Sequence, residues 1–213
     1  MIAMLFMVTA SCKKDKTSPK KLSDDIQNIV PDTILNKITS LGMKINKGLE
    51  PPDIENGYLA SPFELSASNI PDDYSVGSNF SDYYFRLYDQ DNEDLTIKLD
   101  YSNGGETGTG LGGFISGDGN KFSVFVEVNS EYNSYPAKLI HIISGTITDE
   151  GIDNLYFSNF MLDNFDNESG YWIENGEGRV LIDSDNLSPI TPFEFKSTES
   201  VTTTNISSAG KRK

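Results

Sequence analysis

From residue 57 onward the chain reads in twos. Leu95, Ile97, Leu99 and Tyr101 alternate with Thr96, Lys98 and Asp100, and Phe122, Val124, Val126 and Val128 recur at every second position. Such alternation sets one face of a strand on a core and the other toward solvent. The same reading predicts strands over 57–67, 79–88, 95–101, 107–116, 122–128, 139–148, 151–162 and 178–183. Short polar turns separate several of them: the acidic stretch 89–94, Asn103-Gly104-Gly105, the hairpin Gly117-Asp118-Gly119-Asn120, and Asp149-Glu150-Gly151. Pro62 marks an edge or bulge in the first strand. Consecutive strands with no helix between them predict an antiparallel meander, and closing it into a barrel removes its edges. The expected fold is mainly β, a single up-and-down antiparallel β-barrel of about eight strands. A two-sheet β-sandwich fits the same strands.

Upstream the period changes. Ile34, Leu35, Ile38 and Leu41 follow at helical spacing, with Pro31 and Asp32 suited to a first turn and Gly42 to a stop. This short N-terminal helix is expected to lie on the core as a plug or lid, with a partner-binding helix as the alternative. Pro51-Pro52 then forces an extended entry. Residues 13–24 are polar and read as a linker. From Asn186 the chain is rich in Ser and Thr and ends Lys211-Arg212-Lys213. It reads as a disordered tail with a solvated basic end.

The first ten residues, MIAMLFMVTA, carry no charge. That run is too short to span a bilayer of about 30 Å and fits the apolar region of a signal peptide. Thr9-Ala10-Ser11-Cys12 resembles a bacterial lipobox, although Thr9 stands where Leu is usual and no basic region precedes the apolar run. A start upstream of Met1 would account for the second departure. The resemblance implies that Cys12 is lipidated and becomes the first mature residue. Ser-Cys-Lys-Lys-Asp is similar to the starts of Bacteroidota lipoproteins, and Lys13 directly after Cys12 resembles those of the outer membrane. The implied partner is a lipid bilayer, on its periplasmic or cell-surface side. The expected organisation is a signal peptide over 1–11, lipidated Cys and linker over 12–28, helix and entry segment over 29–56, barrel over 57–185 and tail over 186–213.

A second resemblance concerns the barrel. Glu55-Asn56-Gly57-Tyr58 opens the first strand and Gly178-Arg179-Val180 lies in the last. In lipocalins and the wider calycin group a Gly-x-aromatic motif opens strand one, and its ring packs under an Arg of the last strand. Gly57, Tyr58 and Arg179 resemble those parts, with Tyr in place of Trp and directly adjacent to the Gly. The tract over 29–62 is similar to uncharacterised Bacteroidota lipoproteins with lipocalin-like barrels. The likeness implies a barrel closed by Tyr58 under Arg179.

Composition narrows the chemistry. The 213 residues hold 17 Lys and Arg against 32 Asp and Glu, for a formal charge of −15, with one Cys and one His. Every charged side chain lies at or beyond Lys13, so the acidic balance survives removal of the signal. It argues against nucleic acid. One Cys excludes an internal disulfide, and one His leaves any triad dependent on His141. His141 lies in the apolar run Leu139-Ile140-His141-Ile142-Ile143 and reads as structural. Gly108, Gly110, Gly112 and Gly113 suggest a phosphate loop, but no helix follows and no Gly-Lys-Ser/Thr occurs, so they read as strand glycines. Asp89 to Asp94 resembles half of a calcium loop and lacks its glycine, so it reads as a solvated turn. Neither a metal nor a cofactor is expected. Carboxylate pairs alone can run glycoside hydrolysis, and no pair stands out among the acidic residues. Tyr171 and Trp172, in a Gly/Asn/Glu-rich loop, are the candidate ligand platform. The expected function is non-enzymatic: an anchored lipoprotein binding a small apolar or amphipathic ligand in its barrel. The alternatives are a filled barrel docking a protein or glycan partner, and a carboxylate-dependent glycosidase.

Overall fold

A computed structural model describes residues 21–104, 106–132, 134–194 and 207–212 of the protein. Cys12 and the signal segment lie outside the described residues. Among them, two helices precede twelve strands: α1 (Asp24–Ile29), α2 (Asp32–Ser40), β1 (Leu49–Glu50), β2 (Asn56–Ala60), β3 (Phe63–Ser68), β4 (Asn79–Phe80), β5 (Tyr83–Asp91), β6 (Thr96–Asn103), β7 (Glu106–Asp118), β8 (Lys121–Tyr132), β9 (Tyr135–Ile147), β10 (Gly151–Asp163), β11 (Gly178–Asp183) and β12 (Leu187–Pro189). All twelve belong to one sheet, ordered β2-β5-β6-β7-β8-β9-β10-β11-β3-β4, with β1 beside β7 and β12 beside β10. A two-sheet sandwich does not form. Pairing is antiparallel throughout except between β1 and β7.

The strand count exceeds the expected eight for local reasons. The first expected strand breaks at Ser61 and Pro62 into β2 and β3, since proline has no N–H to give the ladder. The second breaks into β4 and β5. The short strands β1 and β12 were not expected. The break at Pro62 shapes the whole sheet. β2 pairs with β5 on one side and β3 with β11 on the other, so the two halves of one interrupted strand lie toward opposite ends of a curled, half-barrel sheet. Asp183 holds this junction. Its Oδ2 accepts from the Ser188 hydroxyl at 2.6 Å and from the Ser61 N–H at 3.3 Å.

The curl encloses one core. Tyr83 of β5 meets Phe157 of β10 with ring centroids 4.5 Å apart, and Phe63, Phe85, Tyr101, Phe122, Val124 and Leu181 are buried in the same cluster. Strands β8 to β11 are buried on their other face too. Phe125, Ile140, Ile142, Phe160 and Val180 point outward and are covered by Ile26 of α1, Ile38 of α2 and the neighbouring Leu22, Val30 and Met43. Burial on both faces explains the unbroken run Leu139-Ile140-His141-Ile142-Ile143. The expected plug is thus an outer cover. Its first part, α1, falls inside the stretch expected to be linker. Ser23 caps it, accepting from the Ile26 N–H at 3.3 Å. No described helix is long and apolar enough to cross a membrane.

Two described parts of the expected tail, 187–191 and 207–210, pair with or pack against the sheet. β12 pairs with β10 at Gly151, Ile152 and Asp153. Thr191 then runs along β2, its N–H donating to the Gly57 carbonyl at 2.8 Å. Gly57 is required there, because a Cβ would sit 2.2 Å from the Thr191 carbonyl oxygen. Residues 207–210 are buried at one end of the sheet.

If the helices seal the outer face, truncating their anchors costs what a core truncation costs. Ile26→Ala and Ile38→Ala are each expected to lower stability by about 2–5 kcal/mol, read by urea unfolding. A loss below about 1 kcal/mol in both would show that the helices contribute little to the folded domain.

Candidate functional site

Three adjacent strands each place one polar side chain at an inward position that parity would give to an apolar one. They are His141 of β9, Asn159 of β10 and Arg179 of β11. The register sets Asn159 opposite both His141 and Arg179, so the three form a row near one end of the sheet. All three are buried.

Arg179 organises this end. Its Nε and Nη2 donate to Oδ2 and Oδ1 of Asp73 at 2.8 and 2.7 Å, a bidentate pair. Its Nη1 donates to the carbonyl oxygens of Ser208 and, at 3.0 Å, Gly210. The guanidinium lies 5.6 Å from the Tyr74 ring and 5.4 Å from the Phe80 ring. Burial pushes the Asp73 carboxyl up, but hydrogen bonds from Arg179 and Ser68 outweigh it and hold the group below the usual range.

Residues 207–212 lie across the same end. The Ser207 hydroxyl bonds to Oε2 of Glu106, whose Oε1 accepts from Ser130 at 2.9 Å. The Ser208 N–H donates to Asn103 Oδ1 at 3.1 Å, and Asn159 Nδ2 donates to the Ser208 hydroxyl at 2.9 Å. Ala209 is buried against Leu139, Met161, Trp172 and Ile173. The Lys211 N–H donates to the Tyr171 carbonyl at 2.7 Å, and its ammonium pairs with Glu174. Arg212 donates to the Asp73 carbonyl at 2.8 Å. Burial raises the Glu106 carboxyl above its ordinary value, against the pull of the two serines.

His141 sits deeper. Its Nδ1 is 3.5 Å from the Tyr83 hydroxyl, and the rings of Tyr101 and Phe157 each lie 5.0 Å away. Burial drives the imidazole down to about 3, so it is neutral at pH 7. Its Nε2 and Asn159 Oδ1 have no hydrogen-bond partner among the described residues. A neutral imidazole walled by aromatic rings has no nucleophile to activate.

The opposite end carries an open cleft of about 460 Å³, lined by Ile54, Tyr58 and Ile190 with Asp53, Glu55 and Asp149. The Tyr58 hydroxyl donates to the Ile54 carbonyl at 2.9 Å, and burial followed by the charge of Asp53 raises its phenol. The expected closure of Tyr58 under Arg179 is therefore corrected. Arg179 pairs with Ser68 at the end of β3, whereas Tyr58 lies beyond the Pro62 break in β2. The rings over Arg179 are Tyr74 and Phe80. Gly57 and Tyr58 do help join the sheet's ends, through Thr191 and the isolated bridge from Tyr58 to Ile190.

The expected platform at Tyr171 and Trp172 is corrected as well. Trp172 is fully buried, its indole N–H donating to the Tyr135 carbonyl at 3.3 Å, so its faces are not presented to a ligand. Gly108 and Gly113 lie in β7, where a Cβ would collide with the Tyr101 ring and the Phe125 carbonyl. Asp89 to Asp94 closes the β5–β6 turn. There Asp91 accepts from the N–H groups of Glu93 and Asp94, and Asp89 pairs with Lys98. Among the described residues no group of three or more His, Cys, Asp or Glu could hold a metal. Three buried or partly buried carboxylates are engaged by separate partners, Asp73 by Arg179, Asp100 by Arg86 and Tyr88, and Glu106 by Ser130 and Ser207, whereas Asp183, bonded to Ser188, is pushed up to about 6 by burial and by the neighbouring carboxylate of Asp185.

Sequence reasoning did not find Asp73, Asn103, Glu106, Asn159 or Ser208. One usable signal was parity: Asn159 and Arg179 interrupt inward apolar positions as His141 does.

The buried imidazole gives a pH signature. The unfolded chain protonates His141 as pH falls through about 6.5, whereas the folded chain holds it neutral until about 3. Between these values the unfolded state binds the extra proton, so stability drops as pH falls. His141→Gln is expected to remove this slope, read as the difference between wild-type and variant urea-unfolding free energies from pH 7 to 3. Parallel curves would show that the imidazole is accessible and protonated in the folded state.

Compared with protein families, curated proteins and solved structures, the chain matches none.

Proposed function

We propose that the chain is a non-enzymatic lipoprotein, held at an outer membrane by acyl chains on Cys12. Its curled sheet, read as a closed lipocalin-like barrel, presents an outer surface to a protein partner instead of enclosing a ligand. The observation that carries this reading is the filled interior. Side chains from opposite sides of the curl meet at its centre, as Tyr83 and Phe157 do. A barrel of about eight strands either packs its interior or holds one small ligand, and here the packing occupies the space a ligand would need. Residues 207–210 close one end, and the cleft beside Tyr58 is open to solvent and lies outside the packed interior. Anchorage is supported by the order of apolar run, small residues, Cys12 and abrupt polar tract. Lys13, Lys14 and Lys16 add attraction to anionic headgroups.

Metabolic labelling with an alkyne fatty acid tests the anchor. Wild type is expected to be labelled and to fractionate with membranes, and Cys12→Ala to lose both; equal labelling would overturn the assignment. Native mass spectrometry of the purified chain tests the filled interior. The bare mass is expected. A stoichiometric lipid or other small molecule would move the reading to a ligand carrier.

A further inference from the structure

We propose that the end of the sheet around Arg179 is a peptide-binding site, and that residues 207–212 occupy it as a reversible ligand and not as a fixed part of the core. The site and its occupant are unequally built. On the receiving side Arg179, Glu106 and Asn103 each keep a partner outside the segment, while Asn159 Nδ2 bonds to Ser208 within it. Arg179 is chelated by Asp73, which also accepts from the Ser68 hydroxyl at 2.6 Å. Glu106 is held by Ser130, and Asn103 Nδ2 donates to the Ser81 carbonyl at 2.6 Å. The contacts to Asp73, Ser130 and Ser81 do not involve 207–212, so departure of the segment leaves the guanidinium paired. The receiving side thus meets the requirement of a preorganised site.

The occupant brings little apolar area. Ser207, Ser208, Ala209 and Gly210 offer one methyl side chain among them, and apolar burial scales with area. What the site reads is backbone and small hydroxyls. Arg179 Nη1 takes two carbonyls, Asn103 takes the Ser208 N–H, Glu106 and Asn159 take the two hydroxyls, and Tyr171 takes the Lys211 N–H. Small size is also favoured at 210, where a larger residue would press on the end of the Tyr171 side chain. A Cβ on Gly210 would lie 3.0 Å from the Tyr171 ring. Beyond the small residues, Lys211 and Arg212 meet Glu174 and the Asp73 carbonyl. The ligand class is therefore a Ser-Ser-Ala-Gly-like peptide followed by basic residues. Asn159 Oδ1, buried in the row beside Arg179, has no partner among the described residues, and Ser208 meets this side chain through its Nδ2.

The covalent connection leaves exchange possible. Thirteen peptide links separate Glu194 from Ser207, a reach of up to about 45 Å, longer than a small domain is wide. The proposal holds whether or not Cys12 anchors the chain.

The test uses the full chain with a protease site inserted between residues 195 and 206. After cleavage, the released fragment is expected to stay bound and then to be displaced by a fluorescent synthetic peptide of residues 206–213, followed by anisotropy and mass spectrometry. Circular dichroism should stay unchanged. A scrambled peptide of the same composition and a peptide carrying Gly210→Val should each compete at least tenfold more weakly. Asp73→Asn in the receiving domain should weaken binding similarly. If the fragment does not exchange while the domain stays folded, or the domain unfolds as it leaves, the segment is core and the proposal fails. Equal binding of the scrambled peptide would show only attraction of a basic peptide to an acidic protein, which also overturns it.

Discussion

A guanidinium with no exposed surface is the feature on which one end of this molecule depends. Taking an ion out of water costs several kcal/mol, and that cost is met only if geometry and hydrogen bonds are close to complete. Arg179 meets the requirement by gathering three parts of the chain that are far apart in sequence. β11 supplies the side chain, the loop after β3 supplies Asp73, and the end of the chain supplies the Ser208 and Gly210 carbonyls. The two rings that flank it, Tyr74 and Phe80, come from that same loop and from β4. The loop is fixed to β11 independently, since Asn69 and Gly178 exchange hydrogen bonds.

The interior is divided along its axis. Toward β12 and the Pro62 junction it is mainly aromatic and aliphatic, with Asp183 and Ser188 as a buried polar pair at the junction itself. Toward Arg179 it turns polar through Asn103, Ser130, His141 and Asn159. That division matches the covers at the two ends. The apolar end is joined by backbone pairing of β2, β12 and Thr191. The polar end is closed by a segment whose own side chains are nearly all small, so its backbone can reach the buried donors and acceptors. A bulky apolar segment would leave Asn103, Glu106 and Arg179 facing groups that cannot bond to them, at a cost of about 1–3 kcal/mol for each unsatisfied group.

Much of the sheet was legible because it is amphipathic locally. β5 and β6 alternate cleanly, and apart from the break between β4 and β5 the predicted positions of β5, β6 and β8 differ from the observed ones mainly at their ends. What was not legible depends on contacts between distant residues. Pro62 announced an interruption, but not that the two halves would pair with opposite ends of the sheet. α1 carries too few apolar positions to show a period, and its burial comes from the outer face of β8 to β11. Small polar residues near the end of the chain read as tail because their contribution is backbone hydrogen bonding, which composition does not record. Tyr171 and Trp172 read as a surface pair from their polar neighbours, whereas Trp172 is the floor on which Ala209 rests. Arg179 was singled out, but its partner was not: the sequence offers many acidic residues, and only the fold distinguishes Asp73.

The same asymmetry separates two levels of stability within one domain. Residues of β8, β9 and β10 are buried on both faces and share long ladders with their neighbours, so opening them exposes core and costs close to the global unfolding free energy. Residues 207–212 share one isolated bridge with the rest, from Gly210 to Trp172, and a set of single hydrogen bonds. Opening them exposes Ala209 and uncovers Leu139, Met161, Trp172 and Ile173 beneath it, a smaller cluster than those buried by β8 to β10. If the segment exchanges as proposed, it follows the local opening regime even though Arg179 beneath it is wholly buried. Arg179 can tolerate such opening because Asp73 stays with it. Under the proposed exchange Arg179 keeps its bidentate partner while the cover is away, and Glu106 keeps Ser130.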